Sequence, residues 1–337
     1  MKYLSMFIII VSLSLGQWFY INHNGVNRAY YVSFPTNFSN EPSSLIINMH
    51  GYGGNALNQL GYTQMNEIAN SQNIAVAYPQ GLNNSWNVFT FWDSNIYDDV
   101  GFISYMIDDI SQNFNINSNK IYACGMSNGG YMAYRLACDL SNKITAFGSV
   151  TGNFMLSNSL NDCQSQDRDI PIIHFHGTSD AIVDYFPPSF DGSLTVEESI
   201  QFWSNYNNLD LQILEQLNSN VEVYTYYSES TPAKFVHYKV IGGGHDWFGS
   251  PWVTNWGFDT SAELINFFTQ YSLTYFINNQ LIGDLNEDLM INIQDIIIII
   301  NFVLNNDYIE SADINLDGII NILDIVQIVD IILNQND

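Results

Sequence analysis

Four short runs, Leu45–Met49, Ile74–Tyr78, Lys120–Cys124 and Ile170–His174, are almost continuously apolar, and stretches of helical period separate them. A strand that is apolar on both faces has to be covered on both faces. That is the situation of a parallel strand between two layers of helix. Further strands are expected at Ala29–Phe34, Ile144–Val150, Val221–Tyr227 and Phe235–Ile241, and helices over Asp98–Phe114 and Asn128–Leu140. Asp98 and Asp99 place acid at the start of the first helix, where its dipole favours negative charge. Strand–helix alternation from Arg28 to about Gln270 predicts an α/β fold with a doubly wound sheet.

Charge divides the chain in two. The 337 residues hold 34 acids and 8 Lys or Arg, a net −26, yet only 12% are charged and 47% are apolar. That much apolar surface can form a core, which excludes a disordered polyelectrolyte. So few cations also exclude a nucleic-acid partner, whose phosphates need clustered Lys and Arg. All eight cations lie at or before Lys239, whereas the 55 residues from Gly283 hold 11 acids and none. Such a break indicates a second module over 283–337, after a larger domain over 17–272.

The N-terminus reads as an export signal. Met1-Lys2 is followed by an apolar run to Leu15, with small residues at Ser14 and Gly16 before Gln17. This predicts a signal peptide over 1–16, a secreted protein and no membrane span after cleavage. Of three cysteines at least one is unpaired; Cys138 and Cys163 can bridge in an oxidising compartment, and Cys124 reads as a small buried side chain. No Cys/His spacing suits zinc.

The string Lys120-Ile121-Tyr122-Ala123-Cys124-Gly125-Met126-Ser127-Asn128-Gly129-Gly130 places Gly-x-Ser-x-Gly between a strand and a helix. A nucleophilic serine needs that sharp turn, and the glycines remove side chains that would clash there. In this arrangement the acid and then the base follow. His176-Gly177-Thr178-Ser179-Asp180 is a strand running into an acid, and Gly242-Gly243-Gly244-His245 a flexible run ending on a histidine. Ser127 is therefore the candidate nucleophile, Asp180 the acid and His245 the base. Asp184 is a rival acid and Asp246 a weaker one. His174, His176 and His237 read as structural histidines, and His23 as an exposed one. His50-Gly51-Tyr52-Gly53-Gly54 after an apolar strand can aim amides at an oxyanion, with Asn128 and either Tyr52 or Gly51 as donors. Such residues need no cofactor for catalysis.

With those residues in place, Arg28 to Gln270 resembles the secreted polyhydroxybutyrate depolymerase and feruloyl-esterase group of α/β-hydrolases. Asp98-Asp99-Val100-Gly101-Phe102 and Arg135-Leu136-Ala137-Cys138 add to the match. The resemblance implies the Ser127, Asp180 and His245 roles and a Cys138–Cys163 disulfide. Asp184 and Phe248 stand where relatives often carry proline, and Phe248 is expected to alter the pocket wall. Trp247, Trp252 and Trp256 offer an aromatic platform for a sugar or phenolic ring, with core packing as the equal alternative.

The tail repeats one pattern. Asp284, Asn286, Asp288 and Asp295 align with Asp313, Asn315, Asp317 and Asp324, each set preceding an apolar helical stretch. Alternate oxygen-bearing side chains of this kind converge on Ca²⁺. The segment resembles a small α-helical dockerin-type module with two calcium loops, which implies structural Ca²⁺ and a cohesin-type scaffold partner. Leu289 replaces the glycine expected at the sixth loop position. Ile293-Gln294 and Ile322-Leu323 stand where a Ser/Thr pair often selects a cohesin, and Tyr271–Ile282 is not a Pro/Thr/Ser-rich linker.

These observations imply a serine carboxylic ester hydrolase, a feruloyl or acetyl esterase of polysaccharide esters. An extracellular polyester depolymerase, an acyltransferase and a non-catalytic scaffold or binding protein stay open as alternatives.

Overall fold

The computed structural model describes residues 16–36, 38, 42–90, 92–155, 163, 168–187, 192–280, 283–286, 291–305, 307–315 and 317–334. The expected signal peptide, except Gly16, lies outside the described residues, as does Leu289. The chain divides into two compact units, 1–166 with 170–271, and 167–169 with 272–337. The break falls at 271/272, so the segment after it belongs to the second unit and not to a connector before Gly283.

In the first unit ten strands form one sheet: β1 (Gln17–His23), β2 (Val26–Ser33), β3 (Ser43–Met49), β4 (Ile74–Pro79), β5 (Ile116–Met126), β6 (Ala146–Val150), β7 (Ile172–Gly177), β8 (Leu211–Asn218), β9 (Val221–Ser228) and β10 (Thr231–Val240). Their order is β1-β2-β4-β3-β5-β6-β7-β10-β9-β8. The stretch β4-β3-β5-β6-β7-β10 is parallel, and antiparallel pairs extend both edges. The sheet is therefore mixed, with the expected doubly wound part at its centre. Every residue of β4, β6 and β7 is buried.

The edges depart from the expected strands. β1 and β8 were not among them, and both lie where burial gives little signal. β8 is exposed along nearly its whole length, so no buried face patterns its sequence. β1 had a legible cue in the turn that follows it: Asn24 and Gly25, at φ 51° and 80°, make the two-residue connection to β2. His23 is held on β1 by a 2.9 Å contact to Asp98 Oδ2 and is not the free exposed residue expected.

Helices α1 (Ala56–Thr63), α2 (Met65–Asn70), α3 (Asp99–Asn113), α4 (Asn128–Asp139), α5 (Val196–Tyr206) and α6 (Thr260–Phe268) flank the sheet. Asp98 caps α3 by accepting from Gly101 N, while Asp99 turns inward. There Arg28 Nη2 reaches Asp99 Oδ1 at 2.6 Å, and Asp99 Oδ2 accepts from Asn87 N and Asn95 Nδ2. One buried carboxylate thus pins the segment before α3 to the sheet. A disulfide joins Cys138 to Cys163, and Cys124 is free and buried, its thiol pushed up by burial.

The second unit carries α7 (Leu273–Gln280), α8 (Ile293–Asn305) and α9 (Ile322–Asn334). Asn292 and Asn321 stand before α8 and α9, each accepting from an amide two residues on. In return Asp295 and Asp324 accept from the amides of Asn292 and Asn321. The sequence repeat is therefore a structural one. Among the described residues no helix is long and apolar enough to cross a membrane.

Candidate active site

Ser127 stands between β5 and α4 at φ 54° and ψ −121°, left-handed backbone that a side chain tolerates only when its surroundings enforce it. Its amide donates to Val150 O at 2.8 Å, and its carbonyl accepts from Gly130 and Tyr131. The flanking glycines are needed for space. A Cβ at Gly125 would meet Gly129 O, and one at Gly129 would meet Met49 O.

Asp180 and His245 come from the loops after β7 and β10, neighbours in the sheet. His245 Nδ1 lies 2.7 Å from Asp180 Oδ2, and the Asp180 side chain is fully buried. Asp180 Oδ1 accepts from the amides of Ile182 at 2.8 Å and Val183 at 2.9 Å. Burial opposes the charge on Asp180, but hydrogen bonds from His176, His245 and Val183 outweigh it and hold the carboxyl well below its ordinary range. Asp184 is exposed and makes no such bond among the described residues. Asp246 is pushed upward by burial and by the Asp180 charge. Of the three acids, Asp180 is the one bonded to His245.

Ser127 and His245 line one open cavity of about 250 Å³, together with Gly51, Tyr52 and Tyr62. A Cβ at Gly51 would sit 3.3 Å from Ser127 Cβ, so the loop after β3 runs directly beside the serine. The amides of Gly53 and Gly54 are spent on Asn84 O and Gly51 O. Among the described residues no protein acceptor engages the amide of Tyr52, and that of Asn128, first in α4, lies beyond the intrahelical ladder.

Two supports were not visible in the sequence. The Asn128 side chain is buried and clasps Trp86, accepting from its amide at 2.7 Å and donating to its carbonyl at 3.1 Å. His50 donates from Nδ1 to Gly51 O at 2.8 Å and accepts at Nε2 from Gly81 N at 3.0 Å. That pattern defines a neutral imidazole, and burial lowers its pKa to about 4. It braces the loop; it is not a second base.

A family model described as phospholipase/carboxylesterase matches residues 93–222. A bifunctional acetylxylan esterase/xylanase of Neocallimastix patriciarum is 26% identical over 231 residues, covering 67% of this chain and 32% of that protein. Feruloyl esterase D of Neurospora crassa is 28% identical over 184 residues, covering 51% of this chain and 60% of the relative. The chain thus spans about a third and three fifths of these two relatives. Among solved structures, an acetyl xylan esterase from Aspergillus awamori superposes with a TM-score of 0.52 at 14% identity, covering 68% of this chain and 94% of that one. The chain has the α/β-hydrolase fold.

Around the cavity the three tryptophans part company. Trp247 is fully buried, with Nε1 bonded to Ser261 Oγ, and Trp256 packs on Phe248. Phe248 is buried and absent from the cavity lining, so it does not shape the pocket wall as expected. Trp252 alone is exposed, at 71%, and stacks on Tyr62 with ring planes 13° apart. Beside the same cavity Tyr52 meets Trp92 edge-on.

In the second unit, Asp288 of the expected calcium ligands lies outside the described residues. Asp284 and Asn286 precede α8 in one loop; Asp313, Asn315 and Asp317 precede α9 in the other. Asp313 accepts from the amides of Asp317 and Gly318, and Asp324 from those of Asn315 and Asn321. Among the described residues no three His, Cys, Asp or Glu side chains gather into a metal cluster. The donor set nevertheless suits a hard cation. Asp295, Asp313 and Asp324 are buried, form no ion pair among the described residues, and lie in a segment without Lys or Arg.

Proposed function

We propose that this chain is a serine carboxylic ester hydrolase whose substrates are feruloyl or acetyl esters on polysaccharide. The observation that carries the reading is the 2.7 Å Asp180–His245 contact beside the cavity that Ser127 also lines. With Nδ1 committed to Asp180, the other ring nitrogen of His245 is the base. It takes the Ser127 proton as Oγ attacks the ester carbonyl. Asp180 fixes the tautomer and stabilises the imidazolium. The amides of Asn128 and of Tyr52 or Gly51 hold the tetrahedral oxyanion. The C–O bond then breaks and the alcohol leaves with the proton from His245. Water attacks the acyl-enzyme with His245 again as base, the Ser127 Oγ–acyl bond breaks, Oγ takes the proton back from His245, and the carboxylic acid leaves. The similarity to an acetylxylan esterase/xylanase and to a feruloyl esterase supports the substrate class.

The test is a panel of methyl ferulate, acetylated xylan, nitrophenyl butyrate and hydroxybutyrate oligomers. Wild type is expected to cleave the first three, and Ser127→Ala none. Failure on all four overturns the esterase reading; preference for hydroxybutyrate oligomers reassigns the substrate to polyester. Acyl transfer exceeding hydrolysis in dilute acceptor reassigns the reaction class.

For the tail the proposal is a calcium-stabilised docking module on a secreted protein. Asp284, Asn286, Asp288 and Asp295 would hold one ion, and Asp313, Asn315, Asp317 and Asp324 the other. The ion would supply charge neutralisation. Ile293, Ile297, Ile300 and Leu304 on α8 recur as Ile322, Val326, Val329 and Leu333 on α9, all exposed. A repeated apolar stripe of this kind supports a protein partner, and the resemblance to dockerin-type modules makes a cohesin-type scaffold the proposed one.

A further inference from the structure

β7 carries His174 and His176 on one face, two residues apart, and both are buried. His176 Nε2 lies 2.8 Å from Val183 O and 3.4 Å from Asp180 Oδ2. Val183 in turn donates its amide to Asp180 Oδ1. His176 and Asp180 therefore grip the same residue from its two ends, closing a ring around the carboxylate. A carbonyl can only accept, so Val183 O requires the proton of His176 on Nε2. With both imidazoles neutral, His176 Nδ1 then accepts from His174 Nε2 at 3.1 Å, and His174 Nδ1 accepts from the Tyr134 hydroxyl at 2.8 Å. One carbonyl sets every proton in the chain.

We propose that His176 is a positioning residue for Asp180, its tautomer fixed by Val183 O and matched by His174 and Tyr134, so that the carboxylate meets His245 in one orientation. The proposal rests on the catalytic reading of Asp180 and His245 given above. His176 Nε2–H is bonded to Val183 O and stands 3.4 Å from Asp180 Oδ2. It latches the turn and draws charge from the carboxylate oxygen that His245 uses. The titratable groups around this cluster are His245 and Asp246 beside Asp180, and Tyr134, His174, Tyr185 and His237 beside the two imidazoles. His237 donates from Nδ1 to His174 O and accepts from Tyr185 at Nε2, which closes the cluster on its far side.

His176→Phe removes the donor and keeps a ring; His176→Gln keeps a donor at similar reach. Kinetics on nitrophenyl butyrate are expected to show kcat lower by roughly 10- to 100-fold in His176→Phe with KM nearly unchanged. The acid limb of kcat/KM should move to higher pH, because Asp180 then concentrates its charge on the His245 imidazolium. His176→Gln should recover most of both. A folded His176→Phe with unchanged kcat and acid limb overturns the proposal, as does a Gln variant no better than Phe. Should His176→Phe fail to fold, His176→Met, which also lacks the donor but has a flexible side chain, takes its place, and unchanged kcat and acid limb there overturn it equally. Proton NMR supplies a readout that survives failure of the esterase reading. The downfield resonance of the His245–Asp180 hydrogen bond is expected to shift or broaden in His176→Phe, and its persistence unaltered counts against the positioning role.

Discussion

His245 Nδ1 stands 2.7 Å from Asp180 Oδ2, whereas Asp184, in the same loop, is exposed to solvent. The two acids should therefore differ sharply on substitution. Asp180→Asn keeps the shape but presents an amide to the imidazole and loses the charge that steadies its protonated form. A fall in kcat of about 10³- to 10⁴-fold is expected. Asp184→Asn should stay within about twofold, since surface substitutions away from such contacts do little. Steady-state kinetics of the two variants on nitrophenyl butyrate decide between them; equal losses would remove Asp180 from its assigned role.

The residues of the site were legible where each stood at the end of a buried strand. Ser127 follows β5 and Asp180 follows β7, which announced themselves by apolar runs, and His245 follows β10, a strand expected at Phe235–Ile241 whose burial alternates. Their supports were not, because the contacts join residues far apart in sequence. Trp86 and Asn128 are 42 positions apart, and His50 and Gly81 are 31 apart. Nothing local in either sequence reports the pairing. His176 was readable as a buried structural histidine, but its contact with Asp180 depends on how the loop after β7 turns back. β8 was missed for the opposite reason: with no buried face, its residues carry no alternation to read.

Buried neutral histidines should make the fold acid-sensitive above the usual carboxylate range. Burial lowers His50 to about 4 and His237 to about 3, and holds His174 well below 6.5. In the unfolded chain histidine titrates near about 6.5. Between those values the unfolded state binds more protons, so stability is full above about pH 6.5 and falls as pH drops toward 4. Each such group contributes up to roughly 1.4 kcal/mol per pH unit across its window. Asp180, depressed, adds a second loss only below about pH 4. Urea melts at pH 7.0, 5.5 and 4.5 should show a falling midpoint, with a shallower fall in His50→Gln. Identical pH slopes in the two proteins would refute the assignment to His50.

Trp252 is the only one of the three nearby tryptophans free to meet substrate, and its stack on Tyr62 continues an aromatic surface from the cavity wall. A sugar ring beyond the ester would lie on that surface, whereas a small ester would not reach it. Trp252→Ala should lower kcat/KM on acetylated xylan by about 3- to 10-fold, the size of one aromatic stacking contact. Hydrolysis of nitrophenyl butyrate should be unchanged. Parallel losses on both substrates would mean that Trp252 supports the loop and does not bind the polymer.

The buried carboxylates of the tail set the last expectation. Asp313 and Asp324 are 2% and 0% exposed, and the Asp324 carboxylate ties two points of the loop to the start of α9. Without a cation these charges repel one another in a segment that supplies no Lys or Arg. Added Ca²⁺ should therefore raise the melting temperature of the second unit, and EDTA should lower it, with bound ligand in hundredfold excess over its Kd worth about 2.7 kcal/mol. Asp324→Asn should abolish most of the calcium response while leaving ester hydrolysis by the first unit intact. Calorimetry of the full chain with Ca²⁺ and with EDTA separates the outcomes: an unchanged transition in both, for wild type and Asp324→Asn alike, would exclude calcium from the tail.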